Sequence, residues 1–127
     1  MSGLTHKNYD KYKGIIRVME FIRNNYAKNY TIQYYADICN LNKYYFIKLF
    51  GEYTGESPQF FRTKIRLEKA KELLLNTTMT NTEIAEFVGY SSAYYFSRIF
   101  KTRTGISPTV FRKNSQKKQT TSNTRKV

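Results

Sequence analysis

Apolar residues recur along the chain at intervals of three and four, the period of helices buried on one side. Phe46, Leu49, Phe50 and Tyr53 fall on one stripe at i, i+3, i+4 and i+7. Phe96, Ile99 and Phe100 repeat that stripe fifty residues later, with Arg103 breaking its fourth place. These aromatics read as core. Alternation of the strand kind is nearly absent, so the expected fold is all-α. Gly55 and Gly105 stand where a helix ends in a left-handed residue. Ser57-Pro58 and Ser107-Pro108 then provide an N-cap and a proline at the first helical position. Thr80 and Glu83 have the spacing of a capping box. Pattern and punctuation together predict seven helices, at about 14–27, 32–39, 43–54, 58–75, 81–88, 92–104 and 108–114.

The stripes belong to an internal repeat. Residues 41–62 read LNKYYFIKLFGEYTGESPQFFR and residues 91–112 read SSAYYFSRIFKTRTGISPTVFR, identical at ten positions. Two copies are too few for a solenoid and indicate a duplicated supersecondary unit. Each copy carries what a helix-turn-helix needs: a small residue at the close crossing, a turn residue tolerant of positive φ, and a large apolar anchor. Ala36, Asn40 and Phe46 fill these places in the first copy, and Ala85, Gly89 and Phe96 in the second. The alanine-to-phenylalanine spacing is ten residues in one copy and eleven in the other, so the second turn is expected to be one residue longer. The organisation expected is a flexible segment 1–13, a first helix-turn-helix subdomain 14–56, a connector helix 57–76, a second subdomain 77–114 and a basic disordered tail 115–127.

Opposite each apolar stripe lies a face with different chemistry. In the first copy it carries Tyr44, Ile47 and Lys48, and in the second Tyr94, Ser97 and Arg98. Arginine can grip guanine O6 and N7 as a bidentate fork, which gives roughly 1–3 kcal/mol of discrimination. Lysine reaches the same atoms with less geometric constraint, and an exposed isoleucine suits a thymine methyl. These six are the expected base contacts. Lys43, Tyr45, Arg62, Tyr95, Lys101 and Arg112 are expected at the DNA backbone, beside the helix N-termini.

The connector's apolar pattern changes side. Phe61 and Ile65 lie close together around the helix, and Leu67, Ala70 and Leu74 cluster roughly opposite. A helix docked on one subdomain early and on another late requires this switch. At about 18 residues it spans roughly 27 Å, enough to hold two recognition helices near the separation of successive major grooves, about 34–36 Å.

Charge agrees with a polyanionic partner. The 127 residues carry 22 Lys and Arg against 9 Asp and Glu, a net +13. Arg112, Lys113, Lys117, Lys118, Arg125 and Lys126 supply six of these charges without an intervening acid, and the rest of the chain keeps +7. Double-stranded DNA is the first expectation. A basic module for RNA or an anionic membrane surface is the alternative, separated from it by indifference to sequence. His6 and Cys39 are the lone histidine and cysteine, so neither a metal cluster nor a disulfide framework is expected, and no cofactor. Cys39 reads as a small apolar residue, and its single thiol fits the reducing cytoplasm. No apolar run approaches the length of a membrane span. Neither a catalytic His or Cys constellation nor a phosphate-binding glycine loop is present, which speaks against an enzyme.

One set of residues resembles a known family. Ala36, Phe46, Phe50, Thr54-Gly55, Arg66, Ala70, Leu74, Ile84-Ala85, Gly89-Tyr90, Tyr95-Phe96, Phe100 and Thr104-Gly105-Ile106-Ser107-Pro108 resemble the DNA-binding domain of AraC/XylS regulators. The resemblance covers about residues 14–113, and its most diagnostic part is the second half. It implies two helix-turn-helix subdomains on a long helix, binding to double-stranded promoter DNA and, in most members, activation of transcription. RNA polymerase is then a candidate partner, as is an N-terminal sensor or dimerisation domain outside this chain. Asn81 departs from the pattern, since the family usually has an aliphatic residue there.

Overall fold

The computed structural model describes residues 6–116, which form seven helices and no strand. They are α1 (His6–Asn24), α2 (Ile32–Ile38), α3 (Lys43–Thr54), α4 (Pro58–Asn76), α5 (Asn81–Val88), α6 (Ala93–Thr104) and α7 (108–116). The chain divides into two compact units, Met1–Ile65 and Arg66–Val127, with the boundary inside α4. The expected tail beyond residue 116 lies outside the described residues.

In the first unit Ile15, Val18 and Ile22 of α1 pack with Tyr35, Ala36, Phe46, Leu49, Phe50 and Phe61. The rings of Phe46 and Phe50 stand 5.7 Å apart, and those of Phe50 and Phe61 meet edge-on at 5.6 Å. The second unit repeats this chain of rings: Phe96 and Phe100 at 5.8 Å, then Phe100 and Phe111 at 5.6 Å. Such edge contacts add to the large area each ring removes from water. Leu67, Ala70 and Leu74 are buried at the spacing that Ile15, Val18 and Ile22 have on α1. One helix therefore serves twice. The start of α4 closes the first unit as α7 closes the second, and the rest of α4 does for the second unit what α1 does for the first.

Local chemistry sets the boundaries. Thr31, Asn42, Thr80 and Ser92 each accept a backbone N–H three residues on, and Thr80 and Glu83 complete the capping box. Ser57 and Ser107 do the same for Phe60 and Val110, ahead of the buried Pro58 and Pro108. Gly55 (φ 81°) and Gly105 (φ 91°) end α3 and α6 in the left-handed region. Just before each glycine a threonine hydroxyl sits on the carbonyl four residues back: Thr54 on Phe50 at 2.7 Å and Thr104 on Phe100 at 2.8 Å.

Two helices, α1 and α7, differ from expectation by more than one residue. α1 begins at His6, eight residues before position 14 and inside the stretch expected to be flexible, and it ends at Asn24 rather than 27. In the added turns Tyr12 has its ring 5.2 Å from that of Tyr53 and packs against the first core. Its hydroxyl donates to Glu52 Oε1 at 3.2 Å, and Lys11 Nζ stands 3.6 Å from the same oxygen. At the other end Asn25 donates its side-chain amide to the Phe21 carbonyl and closes the helix early. α7 runs two residues past 114, with the Ser115 hydroxyl donating to the Phe111 carbonyl. At the unusual Asn81, the side-chain amide donates to Thr109 Oγ1 at 3.0 Å, so a polar link to α7 stands where an aliphatic contact was expected.

Candidate nucleic-acid interface

Each helix-turn-helix is built on one backbone motif. Asn40 (φ 55°) and Gly89 (φ 110°) take the left-handed conformation four residues after Ala36 and Ala85. The next N–H, of Leu41 or Tyr90, returns to the alanine carbonyl at 3.1 or 2.8 Å, which is the Schellman closure. Four residues separate the helices in both copies, so the turns are equal by that measure. The expected extra residue instead falls after the left-handed position: Leu41 and Asn42 lead into α3, but Tyr90, Ser91 and Ser92 lead into α6. The alanines are fully buried, as a close crossing requires. Tyr90 fills the added space, its ring 6.0 Å from Phe96 and 5.1 Å from the Arg66 guanidinium.

With Phe46, Leu49 and Phe50 turned inward, α3 presents Lys43, Tyr44, Tyr45, Ile47 and Lys48 to solvent. α6 turns Phe96 and Phe100 inward and presents Tyr94, Tyr95, Arg98 and Lys101, with Ser97 half-buried beside them. Tyr44 and Tyr94 are 79% and 73% exposed, too open to be structural. Arg98 lies over the Tyr94 ring at 5.9 Å, one helical turn away, whereas Tyr44 is covered by its neighbour Lys43 at 5.8 Å. Neither helix has an acid in its first turn, so their positive N-terminal ends are uncompensated. Tyr45 N–H and Tyr95 N–H are taken by the caps, and the Tyr95 ring meets that of Tyr90 at 5.7 Å.

Arg62 and Arg112, expected at the DNA backbone, have internal work. Arg62 Nη1 donates to the Tyr30 carbonyl and the Tyr35 hydroxyl, both at 3.0 Å. Arg112 donates through Nε to Leu74 O at 3.0 Å and through Nη2 to Thr77 O at 3.1 Å. Each ties the helix after the Ser-Pro step to the segment entering its helix-turn-helix. Their identity across the repeat was the available sign of a structural role, although the partners in the two copies differ.

Cys39 is a free, half-buried thiol, and burial pushes its pKa up. A Cβ on Gly14 would come within 3.1 Å of Cys39 Cβ, so the two residues mark a close approach of α1 and α2. The Lys11 ammonium is held above its ordinary pKa, first by Tyr12 and then by Glu52. Among the described residues no group of three His, Cys, Asp or Glu could hold a metal, and no helix is long and apolar enough to cross a membrane.

Residues 35–114 match the helix-turn-helix domain family. The chain is similar to the lactose operon transcription activator of Staphylococcus xylosus, 34% identical over 76 residues, 60% of this chain and 27% of that protein. It is also similar to the xylose operon regulatory protein of Escherichia coli strain K12, 32% identical over 78 residues, 61% of this chain and 20% of that protein. The chain thus spans about a quarter of the length of the curated relatives it matches. Among solved structures it resembles the C-terminal domain of AraT, a response regulator from Geobacillus stearothermophilus. The TM-score is 0.77 at 33% identity, with 89% of this chain and 88% of that one covered.

Proposed function

The chain belongs to the AraC-type family of helix-turn-helix DNA-binding transcription regulators, and on that premise we propose that it reads one asymmetric promoter site with two chemically unequal helices. α3 and α6 each enter the major groove, in successive segments of the site. The observation that carries this reading is the pair of matched open faces: Tyr44, Ile47 and Lys48 on α3, and Tyr94, Ser97 and Arg98 on α6. Arg98 reads guanine as a fork, Lys48 reads a guanine edge as a point charge, and Ile47 packs on a thymine methyl. Ser97 accepts or donates to a base edge, and the two tyrosines lie against the groove wall. Lys43, Tyr45, Tyr95 and Lys101 bind phosphates, while Arg62 and Arg112 remain internal clamps. α4 runs for 19 residues, about 28 Å, and DNA bending takes up any mismatch with B-form spacing.

In the full-length regulator this module positions an activator on the promoter, as the name of the Staphylococcus xylosus relative says of that protein. Contact with RNA polymerase and control by a sensor domain belong to the same proposal. The test is selection of bound DNA from a random pool, then a footprint on the selected site. A protected region of about two helical turns is expected. Lys48→Ala and Arg98→Ala should each cost about 1–3 kcal/mol and relax preference at positions about ten base pairs apart. Relaxation at one shared position would end the two-groove reading, and loss of affinity without loss of preference would end base readout.

A further inference from the structure

α3 carries one acid, Glu52, and α6 carries none. Glu52 stands four residues after Lys48 and, at 100° per residue, about 40° around the helix from it. A carboxylate there would oppose phosphates, and a glutamate four residues from a lysine also competes for its ammonium. Yet among the described residues no ion pair joins the two. Glu52 is turned instead toward α1, where Tyr12 donates to Oε1 at 3.2 Å and Lys11 Nζ lies 3.6 Å from it. Lys11 also lies over the Tyr12 ring at 5.3 Å, so the three side chains form one cluster on the flank of the recognition helix. In the second copy Thr102 occupies the place of Glu52, and no such cluster is needed.

We propose that Lys11 and Tyr12 are positioning residues for DNA binding: they mask the Glu52 carboxylate and so keep Lys48 available to the groove. As a stabilising ion pair the cluster is worth little, because Lys11 and Glu52 are both well exposed. Its value lies in where the negative charge is held when a polyanion approaches. The unexpected early start of α1 then has a functional meaning, since the turn that carries Lys11 and Tyr12 exists to meet α3. The inference rests on α3 as a recognition helix.

The experiment is a charge cycle on the whole chain with Lys11→Gln, Glu52→Gln and the double variant, measured as Kd on the selected DNA site at low salt. Lys11→Gln should weaken binding about five- to tenfold, and Glu52→Gln should bind as tightly as the parent or more so. In the Glu52→Gln background, Lys11→Gln should lose most of its effect. Tyr12→Phe keeps the packed ring and should weaken binding about twofold, again only while Glu52 is charged. An effect of Lys11→Gln that persists unchanged without Glu52 means that Lys11 touches phosphate directly and overturns the masking. An unchanged Kd for Lys11→Gln overturns it as well. Failure of the parent chain to select any sequence would sink the recognition-helix reading itself, a result distinct from both.

Discussion

The two helix-turn-helix units share a core and differ at the surface. Phe46, Phe50 and Phe61 correspond to Phe96, Phe100 and Phe111, with ring separations that agree to about 0.1 Å. The threonine–glycine ends and the Ser-Pro starts are likewise the same residues doing the same work, and both arginines turn to internal partners, though not to the same ones. The outward faces of α3 and α6 diverge: Ile47 against Ser97, Lys48 against Arg98, Glu52 against Thr102. In a duplicated fold, identity follows what packing demands of both copies, and difference follows what each copy must recognise. Tyr44 and Tyr94 are the informative exception, since they are identical and almost fully exposed. Packing does not demand that identity.

The clamps offer the hardest test of equivalence. Arg62→Ala and Arg112→Ala should each cost about 1–3 kcal/mol in denaturant unfolding. The copies should then part. Arg62→Ala strands the hydroxyl of the fully buried Tyr35, so adding Tyr35→Phe should recover part of the loss. Arg112 holds two carbonyls, which no side-chain change can remove. Absence of recovery by Tyr35→Phe would show that the Tyr30 carbonyl is the partner that matters.

The turns should differ by less, and in opposite senses. Gly89→Ala places a Cβ in the left-handed region and should cost about 1–2 kcal/mol, read as a drop in thermal midpoint. Asn40→Gly removes such a Cβ at the matching place and should stay within about 1 kcal/mol, on the stabilising side. Equal losses from both changes would mean that the Asn40 side chain has a partner that matters more than its φ.

The smallest effect concerns the residue after the turn. Tyr90 has a buried hydroxyl with no hydrogen-bond partner among the described residues, and Leu41 holds its place in the first unit. Tyr90→Phe should therefore be neutral or stabilising, within about 1 kcal/mol by chemical denaturation. A clear loss would assign that hydroxyl a partner, and the extra residue after Gly89 a polar purpose.

Much of this was legible in the sequence because it depends on near neighbours. A cap is a side chain three residues from an N–H, a stripe is a spacing of three and four, and a left-handed turn residue is a glycine or asparagine in the right place. Six helices begin within one residue of their expected positions on that basis. The exposed face of α3 followed by subtraction, once Phe46, Leu49 and Phe50 were assigned inward. The internal bonds of Arg62 and Arg112 were not legible, because a basic residue near a helix start looks alike whether it turns out to solvent or in to a carbonyl.

The amino-acid order alone thus determined the number of helices, most of their starts, the duplicated turn and the exposed faces of α3 and α6, since each rests on interactions within one helical turn or on repetition. Tertiary structure decided the rest through partners far apart in the chain. Arg62 reaches back 32 residues to Tyr30, Arg112 reaches back 38 to Leu74, and Tyr12 reaches forward 40 to Glu52. That last contact ties the early part of α1 to α3 and sets where the Glu52 charge lies, because a side chain's partner is fixed only when distant segments are brought within a few ångströms.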